Sequence, residues 1–169
     1  PRHNGQEEWC PLFLHLGHLL VEGGSKMSKS LGNSITIGAF FAQGLGSARL
    51  LRCLFLQAHY RSTIQLSTER LDQARHFLSL YDRLNLIDRR GGEGNRFTVG
   101  QEQLELQLHT LLQQVEQHLA NDFDTPHAMQ TMQQTMQLLL KEETTVHPLT
   151  FLAIRARLQQ ILTSLLGLG

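Results

Sequence analysis

The feature that most limits what these 169 residues can fold into is the spacing of their large apolar side chains. Leu50, Leu51, Leu54 and Phe55 recur three and four positions apart. So do Leu71, Ala74, Leu78, Tyr81 and Leu84, then Leu104, Leu108, Leu111, Val115 and Leu119, then Met129, Met132, Met136 and Leu139, and finally Leu152, Leu158, Ile161, Leu162 and Leu165. A repeat of this kind gathers apolar groups into one stripe on a helix, and a strand cannot bury it. The chain is therefore expected to be mainly α. Gly44 and Gly46 interrupt a short face made by Ile37, Phe40 and Phe41; Ser47 and Ser67 stand where helix caps are needed; Asn121 and Asp122 close the 104–119 helix. Thr125 is the expected N-cap of the next helix, with Pro126 in its first turn, and Pro148 restarts the chain into a last helix ending at Gly167. Two short runs, Leu19 to Val21 and Ser34 to Ile37, suit extended structure. The polar, glycine-rich tract from Asp88 to Arg96 reads as a linker.

Charge is uneven although the net is zero. Residues 49–96 hold nine arginines against five acids, whereas residues 97–145 hold one lysine against seven acids. A basic middle rich in arginine suits phosphate contacts, but solvated helix faces produce the same pattern. An apolar fraction of 41% is ordinary for a globular chain, and no uncharged apolar run reaches the about 18 residues a membrane span needs. Cys10 and Cys53 are too few for a disulfide framework, which points to a reducing compartment. A start at Pro1 without a methionine or a signal-like segment suggests a piece of something longer.

One stretch asks for a chemical explanation. The chain has three lysines, and two of them, Lys26 and Lys29, flank Met27 and Ser28, with Ser30, Gly23, Gly24 and Gly32 close by. Small residues let backbone N–H groups approach a ligand, hydroxyls add donors, and paired ammonium groups neutralise charge developing on a transferring phosphate. That combination points to nucleotide handling.

Lys26 to Ser30 also matches, letter for letter, the signature loop of class I aminoacyl-tRNA synthetases. Around it stand Trp9, Leu14, His15, Gly17 and His18, then Leu31-Gly32-Asn33, Thr36-Ile37, His59-Tyr60-Arg61-Ser62 and Asp122-Phe123-Asp124-Thr125-Pro126. In order and spacing this resembles the cysteine–tRNA ligases from about Trp9 to Leu166. The resemblance implies a C-terminal fragment, of a mitochondrial-type or a cytoplasmic member, in which the extended segment carrying the loop leads into an antiparallel helical bundle of the class I synthetase anticodon-binding type. It implies that residues 1–37 end the catalytic domain, 38–87 are stem-contact helices, 88–100 a flexible linker and 101–169 the anticodon-side bundle. It also implies ATP, with magnesium, as the ligand of Lys26, Met27, Ser28, Lys29 and Ser30. Lys26 and Lys29 would act on the pyrophosphate charge, and tRNA(Cys) would be the partner.

Zinc, in the complete family enzyme, is held by a preceding catalytic domain with a His-His-Glu-Asn-Glu stretch that these residues lack. No metal site is therefore expected here. His15 and His18, with Cys10 upstream, have helical metal-ligand spacing, but Gly17 between them and the β-like run after them speak against a helix. His15 is instead a candidate for the substrate side. Arg61, Arg70, Arg75 and Arg83 are candidate tRNA contacts, although His59 to Ser62 equally suits a loop that anchors helices. The methionine stripe is read as core. The isolated chain is expected not to activate cysteine, because adenylate positioning needs the absent nucleotide-binding half as a further partner. Two other classes fit: a non-catalytic tRNA or protein interaction module derived from the ligase, and a cysteine:amino-sugar ligase. The helices after Leu104 speak against the second.

Overall fold

In the computed structural model, the residues described are 13–20, 28, 30, 35–88 and 99–169, Val99 by its backbone alone. Among them the chain is mainly helical. β1 (Leu19–Leu20) is followed by α1 (Ile37–Ala42), α2 (Ala48–Leu56), β2 (Ile64–Gln65), α3 (Thr68–Leu86), α4 (Val99–Ala120), α5 (Thr125–Lys141), α6 (Pro148–Gln160) and a π-helical turn, Ile161–Leu165.

The serines stand where the sequence asks for caps. Ser47 accepts from the N–H of Leu50 and Ser67 from that of Arg70, each satisfying a donor that the first helical turn leaves without a partner. Thr36 does the same for α1 by accepting from Ala39. This corrects the expected strand at 34–37: Ile37 is already helical, and the partner of β1 is Ile64–Gln65, which pairs with it in parallel, Leu19 opposite Ile64 and Leu20 opposite Gln65. The N-cap of α5 also moves by one residue. Asp124, and not Thr125, fills that place, with Pro126 still inside the first turn where its missing N–H costs nothing.

One continuous cluster of buried apolar side chains runs from Phe40 on α1 to Leu168. α3 contributes Leu71, Ala74, Leu78, Tyr81 and Leu84, as its spacing predicts, together with Phe77 and Leu80. The α5 methionines 129, 132 and 136 are buried with Leu139, so the stripe is core. α4 packs on α5 and α6, and α5 on α3 and α2. Departures from the expected faces are Ile37 and Phe41, which leave Phe40 as the buried residue of α1, together with Phe55, 43% exposed, and Leu165, 66% exposed. The π-helical turn inserts an extra residue after α6, which rotates Leu165 outward while Leu162, Leu166 and Leu168 stay buried.

The last residues return to α2. Arg49 donates from Nε to the Leu168 carbonyl at 2.9 Å and grips Asp82 on α3 with its two terminal nitrogens at 2.8 and 3.2 Å. Gly167 has φ +64, and a Cβ there would lie 2.7 Å from a guanidinium nitrogen of Arg52. Cys53 sits within this core, donating to the Ala74 carbonyl at 3.7 Å, and burial pushes its thiol up to about 12 against the pull of Arg49. Cys10, and the linker tract apart from Asp88, lie outside the described residues.

Candidate functional site

Loop-bearing segment and helical body meet at a glycine. Gly17 donates its N–H to the Tyr60 carbonyl at 2.8 Å, and a Cβ on it would lie 1.8 Å from the Ser62 carbonyl oxygen. Only a residue without a side chain allows this backbone-on-backbone approach. The bonds from Ile64 N–H to the His18 carbonyl, 3.0 Å, and from Leu66 N–H to the Leu20 carbonyl, 2.9 Å, continue the contact into β1 and β2. The chain that runs into the lysine-containing loop is thereby tied down on one side, and on the other it enters α1, whose start Thr36 caps and whose Phe40 is buried in the core. Within the loop, Ser28 and Ser30 have their hydroxyls 3.2 Å apart. Lys26, Met27 and Lys29 lie outside the described residues.

Directly behind this junction, two motifs some sixty residues apart form one polar cluster. Tyr60 donates its hydroxyl to Asp122 Oδ1 at 2.7 Å; Arg61 donates Nε–H to the Tyr60 oxygen at 2.7 Å and Nη2–H to the same carboxylate oxygen at 3.3 Å. His59 Nε2 is 3.1 Å from the Asp122 carbonyl oxygen, and its ring stacks on Tyr60 with centroids 4.6 Å apart. The hydrogen bond to Asp122 is the main reason the Tyr60 phenol is raised above its usual 10; desolvation and the Asp122 charge add to this, against the bond and charge of Arg61. The phenol stays neutral and able to donate at ordinary pH. Thr125 adds a weaker tie, its hydroxyl donating to the Ala58 carbonyl at 3.4 Å. So His59 to Ser62 anchors the α2–β2 loop to the α4–α5 turn.

That turn is unusual in its backbone. Asp122 and Phe123 have φ of 52 and 53. Asp tolerates the left-handed region; for a bulky residue such as Phe it is an outlier. Asp124 N–H closes the turn on the His118 and Asn121 carbonyls, both at 3.1 Å. The Asp124 carboxylate then caps α5, accepting from the His127 backbone N–H, with the His127 ring nitrogen 2.7 and 2.8 Å from its oxygens. Desolvation pulls its pKa up, but the bonds from His127 and the charges of His127 and His118 together outweigh this and hold it below 3.8.

Between the two motifs lies a hollow of about 320 Å³. Leu16, Gly17 and Leu19 wall one side, Phe55, Leu56 and Ala58 a second, and Phe123 and Thr125 the rim opposite. A second hollow of about 560 Å³ lies between α3 and α5, with Arg70, Gln73, Gln130 and Gln134 among its walls.

The other sequence candidates scatter. Arg75 donates to Asp72 at 2.7 Å and to the Leu45 carbonyl at 2.8 Å; Arg83 is exposed in the last turn of α3; His15 is exposed on the segment before β1. Among the described residues no group of three or more His, Cys, Asp or Glu converges as a metal site requires, and no helix is long and apolar enough to cross a membrane. Phe55 and Phe123 were not among the sequence candidates, although Phe123 carried a signal: an aromatic between two aspartates at a turn is no core position.

Comparison with known proteins adds lineage. The family described as "tRNA synthetases class I (C) catalytic domain" matches residues 2–76, from the loop-bearing segment into α3. A cysteine–tRNA ligase of Pyrobaculum calidifontis is 32% identical over 132 residues, 76% of this chain and 26% of the relative. That of Staphylothermus marinus is 32% identical over 146 residues, 82% of this chain and 29% of the relative, and that of Mesoplasma florum 26% identical over 144 residues, 82% and 30%. The chain thus spans less than a third of the length of these relatives. Among solved structures, the Agrobacterium radiobacter LeuRS-tRNA-LeuAMS ternary complex shares the fold, with a TM-score of 0.70 over 88% of this chain and 20% of that one, at 22% identity.

Proposed function

This chain belongs to the cysteine–tRNA ligase family over the stretch it spans, and from that premise we propose that it supplies the nucleotide-clamping loop and the tRNA-facing helices of an enzyme that activates cysteine with ATP and transfers it to tRNA(Cys). The observation that carries the reading is that the lysine loop is held at both ends, by the Gly17–Tyr60 and β1–β2 bonds before it and by α1 with its buried Phe40 after it. A phosphate clamp needs fixed ends. Lys26 and Lys29 are assigned to the charge of the leaving pyrophosphate, with Lys29 the stronger contributor and Ser28 and Ser30 as donors; removal of one such contact costs about 10² to 10³ in rate. Magnesium accompanies the nucleotide. His15 stands on the substrate side.

The domain reading follows: residues 1–37 complete the catalytic domain, 38–87 contact the tRNA stem, the linker expected over 88–100 ends where α4 begins at Val99, and the helices from there to 169 form an antiparallel bundle of the anticodon-side type. Arg70 and Arg83 are assigned as the leading tRNA contacts. Arg75 is already held by Asp72 and the Leu45 carbonyl, whereas Arg61 bonds Asp122 with its side chain still largely exposed.

The chain by itself is expected to show no cysteine-dependent ATP–pyrophosphate exchange, because the adenylate needs groups from both sides of the active site. Robust exchange by these 169 residues would refute this. Binding of tRNA(Cys) is expected to be weak and to fade as salt rises, with Arg70→Ala and Arg83→Ala each lowering the salt slope by about one unit. No binding at low salt would refute the partner assignment. Binding that persists, with no activity even when the rest of a relative is supplied in trans, would favour a non-catalytic tRNA module.

A further inference from the structure

We propose that the hollow between the segment before β1 and the α4–α5 turn is a pocket for one unstacked nucleobase of RNA, with Phe123 as its stacking platform. This rests on the reading that the chain engages tRNA. Three observations carry it.

The first is the rim. Phe123 is 66% exposed and is held there by a left-handed pair of residues, Asp122 and Phe123, that a bulky side chain adopts only at an energetic cost. The Tyr60–Arg61–Asp122 bonds keep that turn in place, so the ring is presented rather than left loose. The second is the interior. Leu19, Leu56, Ala58 and Ile64 give an apolar lining to a volume of about 320 Å³, Phe55 offers a second partly exposed ring, and Tyr60, Ser62 and Thr125 are hydroxyl-bearing side chains in the wall. Among the described residues no Asp, Glu, Lys or Arg lines the hollow, and His59 is its one imidazole, which suits a flat neutral ring with polar edges. The third is the charge outside it. Arg61, with its side chain 62% exposed, sits over the Tyr60 ring at the same edge, where the phosphate attached to a docked base would lie. Aromatic faces beside a guanidinium form the usual pairing for single-stranded nucleic acid.

The test uses the full chain and a fluorescein-labelled single-stranded RNA of about twelve nucleotides, followed by anisotropy at low salt. Phe123→Ala and Phe123→Gly are each expected to weaken binding about tenfold, and Phe123→Tyr to stay within about twofold, because loss of one stacked base is worth that much and tyrosine keeps the ring. Circular dichroism should show all three folded, since the ring is mostly outside the core. RNA binding that is unchanged in both ring-deleted variants overturns the pocket and leaves the tRNA reading standing. No binding of this RNA or of tRNA(Cys) at low salt overturns both. In a second arm, adenosine and uridine monophosphates are titrated while the Leu19 and Ile64 methyl resonances are followed. Shifts with a mononucleotide but no RNA binding overturn the assignment to RNA in favour of a free nucleotide.

Discussion

Gly17→Ala is the most informative single substitution, because its cost can be worked out before it is made. The new methyl carbon would stand 1.8 Å from the Ser62 carbonyl oxygen, 2.2 Å from its carbon and 2.9 Å from Thr63 N. All three are backbone atoms, so no flexible side chain can yield. A relaxed carbon-to-carbonyl contact needs about 3.3 Å, so the segment must retreat by about 1.5 Å. The Gly17–Tyr60 bond, 2.8 Å in the structure, then stretches past any useful length, and the Ile64–His18 and Leu66–Leu20 bonds follow because they lie on the same short strand pair. At about 0.5–1.5 kcal/mol each, the three together are worth roughly 1.5–4.5 kcal/mol. Of residues 13–20 only Leu19, partly buried, packs against the core, so the loss should be local. Native-state hydrogen exchange is the assay: the Ile64 and Leu66 amides should lose about tenfold to a thousandfold of their protection while the amides of α3 to α6 keep theirs. Unchanged protection at Ile64 and Leu66, or a loss spread evenly over the helices, would refute the reasoning that one glycine holds the loop-bearing segment to the body.

Three further outcomes follow from other parts of the molecule. Cys53, buried and with its thiol pushed up to about 12, should resist alkylation by iodoacetamide in the native state and react only as the chain unfolds; mass spectrometry of Cys53 after native labelling decides it. Tyr60→Phe removes the hydroxyl that joins Arg61 to Asp122 and should lower the denaturant midpoint of unfolding, and no change in the midpoint would mean the cluster is ornamental. Asp124 has a depressed pKa, so its contribution to the start of α5 is complete above the unfolded value of 3.8 and is lost as pH falls below that through the folded value; Asp124→Asn should lower stability near neutrality and converge with the parent chain at the acid end, which flattens the acid limb of a stability–pH curve.

How much of this was legible in advance depends on the range of the interaction. α2 to α6 follow from three-and-four spacing, and α2 and α3 also from the serines at their starts, because these are local preferences that the tertiary fold only confirms. The helix-start residue at 124 was misplaced because Asp124 and Thr125 can both cap; the left-handed turn at 122–123 decides between them, and no neighbouring residue announces that turn. β2 was invisible: Ile64–Gln65 is too short to show a period, and it becomes a strand only because β1 lies beside it. The candidate site shows the same limit. His59 to Ser62 and Asp122 to Pro126 are each recognisable as motifs, yet nothing in either says that Tyr60 and Arg61 end on Asp122, sixty-two and sixty-one positions away. The π-helical turn escaped for a related reason, since an apolar repeat gives no warning of one inserted residue.

The return of Leu166 and Leu168 to α2 has a bearing on how the chain reaches its native state. The Arg49–Leu168 bond joins positions 119 residues apart, and Arg49 also clamps Asp82 while lying over the Tyr81 ring. Local helices can form early and cheaply, but a contact of that separation must first meet the entropy of closing a long loop. On a ribosome, α2 and α3 would be synthesised well before the residues that complete their outer surface. The docking of residues 166–168 is then expected to follow the pairing of α2 with α3, with Arg49 as the group that receives them.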